Sequence, residues 1–321
     1  MRLEDIMKTT HKNKIVVIGA GNVGEAIAYT LMVRTQANDI VLIDVNEDRA
    51  KGAALDIAHG TSFFKHVWVR TGGYEECADA QMIIITAGVA RKPGQTRLDL
   101  AKTNVSIVKG ITENIMKYAK NPLILVVSNP ADIVTMAVQQ VSGLPAERVI
   151  GSGTSLDTAR FRYLLSKKLQ VNIEDINAYI IGEHGDSQVP VFSSANIGGF
   201  PLKDFAAQVD VEINEKEIAE RTKTGGAEVI SLKGATFYGI AMSVSNIVET
   251  IMKDDNAIIP VAHVLDESFG PWAGVAISLP CRIGWEGINQ TLRIPMDYYE
   301  KTAMDASVNT LKALAEELEL L

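Results

Sequence analysis

Short apolar runs recur along the chain at 15–18, 40–43, 82–85, 123–127 and 149–150, and the segments between most of them are long enough to hold a crossover helix. This alternation predicts an α/β fold built on a parallel, doubly wound sheet with right-handed crossovers. In such a sheet ligands sit beyond the C-terminal ends of the strands, so the chemistry should follow directly after each apolar run. Farther along, 213–242 reads as a long helical stretch interrupted by Gly225, Gly226 and Gly234. The runs at 275–279 and 291–294, each closed by a proline, predict strands of a second, antiparallel sheet. Near the C-terminus Val308, Leu311, Leu314 or Ala315, and Leu318 share one stripe, with Glu316, Glu317 and Glu319 mostly outside it, so a closing amphipathic helix is expected.

The first two runs frame the most informative stretch, KIVVIGAGNVGEAIAYTLMVRTQANDIVLID, from Lys14 to Asp44. It reads as strand, tight glycine turn, helix and strand. Gly19 makes the turn, Gly21 lets backbone N–H groups approach a pyrophosphate, and Gly24 lets the helix pack closely on the sheet. The helix N-terminus adds partial positive charge for the phosphates. Asp44, about 20 residues on, suits the ribose hydroxyls of NAD, whereas a 2′-phosphate there would meet a like charge. Glycines used only for turns would leave the position of Asp44 unexplained. This marks an NAD-binding unit that begins at Lys14, behind an arm at 1–13.

Each later run is followed by charged or polar candidates. After 82–85 comes TAGVARKPGQTRLDL, a glycine- and proline-marked loop carrying Arg91 and Arg97, either a mobile lid that adds positive charge over a substrate or an exposed basic loop. Ser128-Asn129-Pro130 follows 123–127; Asn129 serves turn geometry or contacts cofactor or substrate. After 149–150, Asp157 and Arg160 stand three apart on a helix face, an ordinary surface ion pair unless the cleft lies beside them. An apolar strand then ends in GEHGDS. His184, closing that strand at a glycine turn, differs from His11, His59, His66 and His263, which take structural readings. Were Asp157 to reach its second ring nitrogen, the tautomer would be fixed and the imidazolium stabilised. Thr236, in KGATFYG, is either a small polar contact in the cleft or part of a helix-packing notch.

Composition narrows the class. A chain of 321 residues can bury a sizeable core, and no apolar run is long enough to span a bilayer. The charged N-terminal segment lacks an apolar core for export, and the two cysteines, Cys77 and Cys281, have no metal-ligand or CxxC spacing. A cytoplasmic protein without a metal site is expected. A net charge of −8 argues against nucleic acid as a partner and leaves an anionic substrate to local arginines.

Taken in order, IGAGNVG, RKPGQTRLDL, VVSNP, SGTSLDTARFR and IGEHGDS closely resemble the NAD-dependent lactate/malate dehydrogenase family, from about Lys14 to the C-terminus. The resemblance implies a Rossmann NAD-binding domain at 14–151, an α+β substrate domain at 152–321, and hydride exchange between nicotinamide and C2 of a small 2-oxo acid. It implies that His184 donates and accepts the proton, that Asp157 is its partner, and that Arg160 clamps the substrate carboxylate. Arg97 would polarise the carbonyl from the lid, Asn129 would bind near carbonyl and nicotinamide, and Thr236 would line the pocket. The cofactor set extends to Asn22, Val23, Arg49, Tyr74, Gly88 and Val127. Planar guanidinium groups match a carboxylate fork better than lysine does. A homo-oligomer, tetramer rather than dimer, is also implied.

In this family the residue before Lys-Pro-Gly faces the variable end of the substrate, glutamine in lactate enzymes and arginine in malate enzymes, and here it is Arg91. A second carboxylate would satisfy that cation with a charge-assisted hydrogen bond worth roughly 1.5–3 kcal/mol. Malate is therefore the expected substrate, on a scaffold whose Thr236 and TRLDL look lactate-like; L-lactate, a broad range of 2-hydroxy acids, or a catalytically silent NAD-binding protein are the alternatives. Of the arginine and histidine with which bacterial lactate enzymes bind fructose 1,6-bisphosphate, Arg162 matches the first but Asn177 stands at the second, so such activation is not expected.

Overall fold

A computed structural model of the chain describes residues 13–89 and 96–321, with Arg97 described by its backbone alone. The arm expected at 1–13 and the loop arginine Arg91 therefore lie almost wholly outside the described residues.

Strands β1 (Lys14–Ile18), β2 (Asp39–Ile43), β3 (Trp68–Thr71), β4 (Met82–Ile85), β5 (Ile124–Val126) and β6 (Val149–Gly151) form the parallel part of one sheet. The crossovers include helices α1 (Asn22–Arg34), α2 (Glu47–Gly60), α3 (Arg97–Met116) and α4 (Ala131–Ser142). β1 pairs with β2 on one side and β4 on the other, so the strand order reverses there and a crevice opens at their C-terminal ends. Successive strand residues point to opposite faces. Val16, Ile18, Ile83, Ile85 and Val126 bury against α3 and α4, while Ile15, Val17, Ile40, Leu42, Ile84 and Leu125 bury against α1 and α2. Both faces being covered explains the uninterrupted apolarity of these strands.

Helix α5 (Ser155–Leu169) leads into β7 (Ile176–Ile181), β8 (Val189–Ile197) and β9 (Phe200–Pro201), a separate antiparallel sheet. After α6 (Leu202–Gln208) come α7 (Glu215–Lys233) and α8 (Tyr238–Lys253). Then β10 (Ala257–Val264), β11 (Ala276–Gly284), β12 (Gly287–Thr291) and α9 (Tyr298–Glu317) complete the chain. Buried Val308, Leu311 and Ala315 seat α9 against the main core.

Two expectations need correction, and one strand had no sequence signal. The strands expected at 275–279 and 291–294 do not build the second sheet: β11 runs on through Pro280, β12 ends at Thr291 so that 292–294 lie outside any strand, and β12, β11 and β10, paired antiparallel in that order, join the main sheet beside β6 through Ala262 and Gly151. The second sheet is β7–β9, with the candidate histidine at its rim. Gly225 and Gly226 do not interrupt α7, which runs through them and ends at Gly234 in the left-handed conformation, φ +84°. Strand β3 had no apolar run to announce it because it is an edge strand with two exposed residues.

Candidate active site

The turn after β1 is held by contacts that require glycine. Gly19 has φ +105°, and a Cβ on Gly24 would lie 1.8 Å from the Gly19 carbonyl oxygen, so a side chain there would push α1 off the sheet. Thr86, just past β4, donates its hydroxyl to the same carbonyl at 2.9 Å. No side chain caps α1, and nothing lies within 4 Å of the missing Cβ of Gly21, so the first amides of the helix are open toward the crevice. At the end of β2 the Asp44 carboxylate accepts the Ala20 N–H at 2.6 Å and the Asn46 N–H at 2.8 Å, which fixes the acid beside the glycine turn.

Gly19, Gly21, Asp44, Arg49, Tyr74 and Gly88 line one cleft of about 1110 Å³. Arg49 also donates to the Asn22 side chain at 2.9 Å, tying α2 to the start of α1. Gly24 is a packing residue behind the turn, and Val127 is buried with its N–H on Ile85; neither they nor Val23 line the cleft. An open helix start, a close-packed glycine and an anchored acid fit a dinucleotide with free ribose hydroxyls.

The reactive cluster is assembled from three separate elements. His184 lies in the turn after β7, which opens at Gly182 with φ +87° and a reciprocal backbone bridge to Ser278. Its ring Nδ1 is 2.6 Å from Oδ2 of Asp157, in the first turn of α5. Arg160, one helical turn on, donates to the other Asp157 oxygen at 3.0 Å. The backbone N–H of His184 donates to Oδ2 of Asp132, near the start of α4, at 2.7 Å.

Burial works against charge on the imidazole, but the Asp157 carboxylate, assisted by Asp132, outweighs it and raises the His184 pKa to about 9. Burial likewise pushes Asp157 upward, yet His184 and then Arg160 hold it below the usual carboxylate range. With Nδ1 engaged by Asp157, the tautomer leaves Nε2 for chemistry, and the side chain keeps 28% exposure. Gly225 and Gly226 of α7 pass directly over the Arg160 guanidinium, with a Cβ on Gly226 reaching 3.3 Å from Nη2.

Asn129 is exposed at the turn before α4, and its carbonyl accepts from buried Asn104 of α3 at 2.7 Å. Asn104 also accepts the Val89 N–H at 2.8 Å, which joins the first part of the loop after β4 to the Asn129 turn. Arg97 is the first residue of α3, preceded by a capping box between Thr96 and Asp99. Thr236 is half-buried in the link between α7 and α8. Arg162 donates to the Ala178 carbonyl at 2.9 Å and lies over the Tyr179 ring, while Asn177 donates to Asn196 at 3.3 Å.

The remaining groups take structural roles. His263 is buried, with Nε2 2.7 Å from the Thr291 hydroxyl, and burial lowers its pKa to about 4. Burial pushes both thiols, Cys77 and Cys281, up to about 12. Among the described residues no group of His, Cys, Asp or Glu is placed to hold a metal, and no helix is long and apolar enough to cross a membrane. Thr86, Asn104 and Asp132 were not foreseen. Thr86 and Asp132 do follow apolar runs at the ligand edge, the one signal that pointed their way; Asn104 sits in mid-helix with none.

Comparison with known proteins agrees with this geometry. Residues 13–151 match the family model for the lactate/malate dehydrogenase NAD binding domain, and 154–320 match that for the lactate/malate dehydrogenase alpha/beta C-terminal domain. The chain is 42% identical over 310 residues to an L-lactate dehydrogenase of Acetivibrio thermocellus, covering 96% of this chain and 98% of that one. It is 44% identical over 307 residues to an L-lactate dehydrogenase of Halalkalibacterium halodurans, covering 95% and 97%. Among solved structures, the minor L-lactate dehydrogenase of Enterococcus mundtii in its ligands-bound form superposes with a TM-score of 0.91 at 39% identity, covering 96% of this chain and 99% of that one.

Proposed function

The chain belongs to the lactate/malate dehydrogenase family and is an NAD-dependent oxidoreductase acting on the CH–OH group of a 2-hydroxy acid, and within that activity we propose that L-lactate and pyruvate are its preferred pair. The observation that carries the activity is the continuous chain from Arg160 through Asp157 to the ring of His184. What supports lactate is that relatives 42% and 44% identical over nearly the whole length are L-lactate dehydrogenases. These relatives favour the alternative over the malate expectation drawn from Arg91. That arginine, outside the described residues, supports oxaloacetate and L-malate as the second reading, because a second carboxylate would pair its charge.

The geometry at His184, Asp157 and Arg160 supports the following division of roles. Protonated His184 gives its Nε2 proton to the carbonyl oxygen of the 2-oxo acid, and Asp157 holds the ring through Nδ1 and stabilises the imidazolium. Arg160 offers the substrate carboxylate the N–H groups not used on Asp157. Asn129 contacts the carbonyl end, Thr236 lines the pocket, and Arg97 adds positive charge where negative charge grows on oxygen. The bound nicotinamide supplies the hydride for reduction and takes it back in oxidation. Gly19, Gly21, Asn22, Val23, Asp44, Arg49, Tyr74, Gly88 and Val127 are assigned to the dinucleotide.

The same reading divides the chain into an arm at 1–13, an NAD-binding unit at 14–151 and a substrate unit at 152–321, in a cytoplasmic homo-oligomer, a tetramer rather than a dimer. A groove of about 460 Å³ lined by Tyr29, Ile57, Phe237 and Tyr238 supports self-association, since Tyr29 and Tyr238 are 55% and 70% exposed. The deciding experiment is kcat/KM for pyruvate against oxaloacetate with NADH. A pyruvate preference supports lactate, and an oxaloacetate preference returns the assignment to malate.

A further inference from the structure

Asp132 is a buried carboxylate at the site that the mechanism above leaves unused. It is 2% exposed at the second position of α4, three residues beyond Asn129. Its Oδ2 accepts the His184 N–H at 2.7 Å, across 52 residues of sequence. Its Oδ1 is buried and meets no hydrogen-bond donor among the described residues. A backbone N–H needs only a neutral acceptor, so a full carboxylate with one unsatisfied oxygen is a costly way to fasten a turn.

The cost has a return in the charge count. With Asp132 and Asp157 ionised, and Arg160 and the His184 ring protonated, the four groups joined by these hydrogen bonds sum to zero, with Glu183 a further carboxylate beside them. An uncharged residue at 132 would leave those four net positive while the ring carries its proton. We propose that Asp132 is a second acidic positioning residue for His184, which fastens the turn bearing the ring to the helix that follows Asn129 and supplies the negative charge that keeps the ring protonated. This rests on the proton-transfer role assigned to His184.

Among the described residues the charged groups facing Asp132 are His184 and Glu183 from the turn after β7, and Asp157 from α5. Helix α4 carries no other charge, and β10 brings only His263, which burial keeps neutral. Burial raises the Asp132 pKa to about 7, against the favourable His184 contacts. Its negative charge is therefore present mainly above neutrality, where the ring would otherwise lose its proton.

The test compares wild type, Asp132→Asn and Asp132→Ala in NADH-dependent reduction across pH. Asp132→Asn keeps an acceptor for the His184 N–H and removes the charge. Its rate should match wild type below about pH 7 and then fall early, the alkaline limb moving down by about one pH unit. Asp132→Ala should lose turnover at every pH, with the NADH dissociation constant unchanged. A profile for Asp132→Asn superimposed on wild type, or wild-type turnover in Asp132→Ala, overturns the proposal. Should neither variant fold, carbon NMR of aspartate-labelled wild type decides. The Asp132 carboxyl signal must shift in step with the His184 ring, and a signal that titrates once in the ordinary carboxylate range overturns it. An inactive wild type would instead refute the dehydrogenase reading, so the two failures are distinguishable.

Discussion

Gly226 and Arg160 are packed so closely that a methyl group added to the glycine would lie 3.3 Å from the guanidinium Nη2. The guanidinium is confined between α7 on one side and Asp157 on the other, which presets its direction before substrate arrives. Gly226→Ala should therefore raise KM for the 2-oxo acid several-fold while leaving NADH affinity unchanged. The same change removes a mid-helix glycine and should stabilise α7 by about 0.5–1 kcal/mol. Steady-state kinetics and a melting curve read both effects. A higher melting temperature with unchanged KM would show that glycine is not needed to position the clamp.

His184→Asn should bind NADH normally and lose at least ~10²-fold in turnover, because asparagine can hydrogen-bond but cannot deliver a proton. Fluorescence titration with NADH and single-turnover reduction separate the two. Turnover near that of wild type would remove the proton-transfer assignment.

Reduction requires the protonated ring, so its rate should fall as pH rises through about 9. In Asp157→Asn the largest opponent of the burial effect is gone, and the limb should move below the ordinary histidine value of 6.5. A pH series under saturating NADH checks this, and an unmoved limb would contradict the pairing.

The same pair links stability to pH. The folded pKa of His184 lies above its unfolded value of 6.5, so its contribution is complete below that pH and is lost as pH rises through about 9. Unliganded wild type should lose melting temperature across this window relative to His184→Asn. Parallel curves for the two proteins would disprove the linkage.

Gly24→Ala tests the nucleotide turn. A Cβ placed 1.8 Å from a backbone oxygen cannot be relieved by rotating a side chain, so α1 must move. A destabilisation of about 3 kcal/mol or more, with loss of NADH binding in whatever folds, is expected. Chemical denaturation and NADH titration measure it, and unaltered values would mean the glycine is dispensable.

Two kinds of information separate in this protein. The parallel strands other than β3, the glycine turn and Asp44 were legible in the linear chain because each rests on neighbours: an apolar run covered on both faces, three glycines within one turn, and an acid one strand later. The family motifs likewise singled out His184, Asp157 and Arg160, since Asp157 and Arg160 share a helix turn and His184 ends a strand. Tertiary structure alone decided which groups meet. The ring reaches Asp157 across 27 residues and its amide reaches Asp132 across 52, distances closed by the packing of α4 and α5 beneath the turn after β7. It also decided that β10–β12 extend the main sheet, because alternating or continuous apolarity says that a strand is covered, not which strand lies beside it. Asp132 shows the same division: beyond its place after an apolar run it reads as an ordinary first-turn helix acid, and only its burial against His184 gives its charge something to act on.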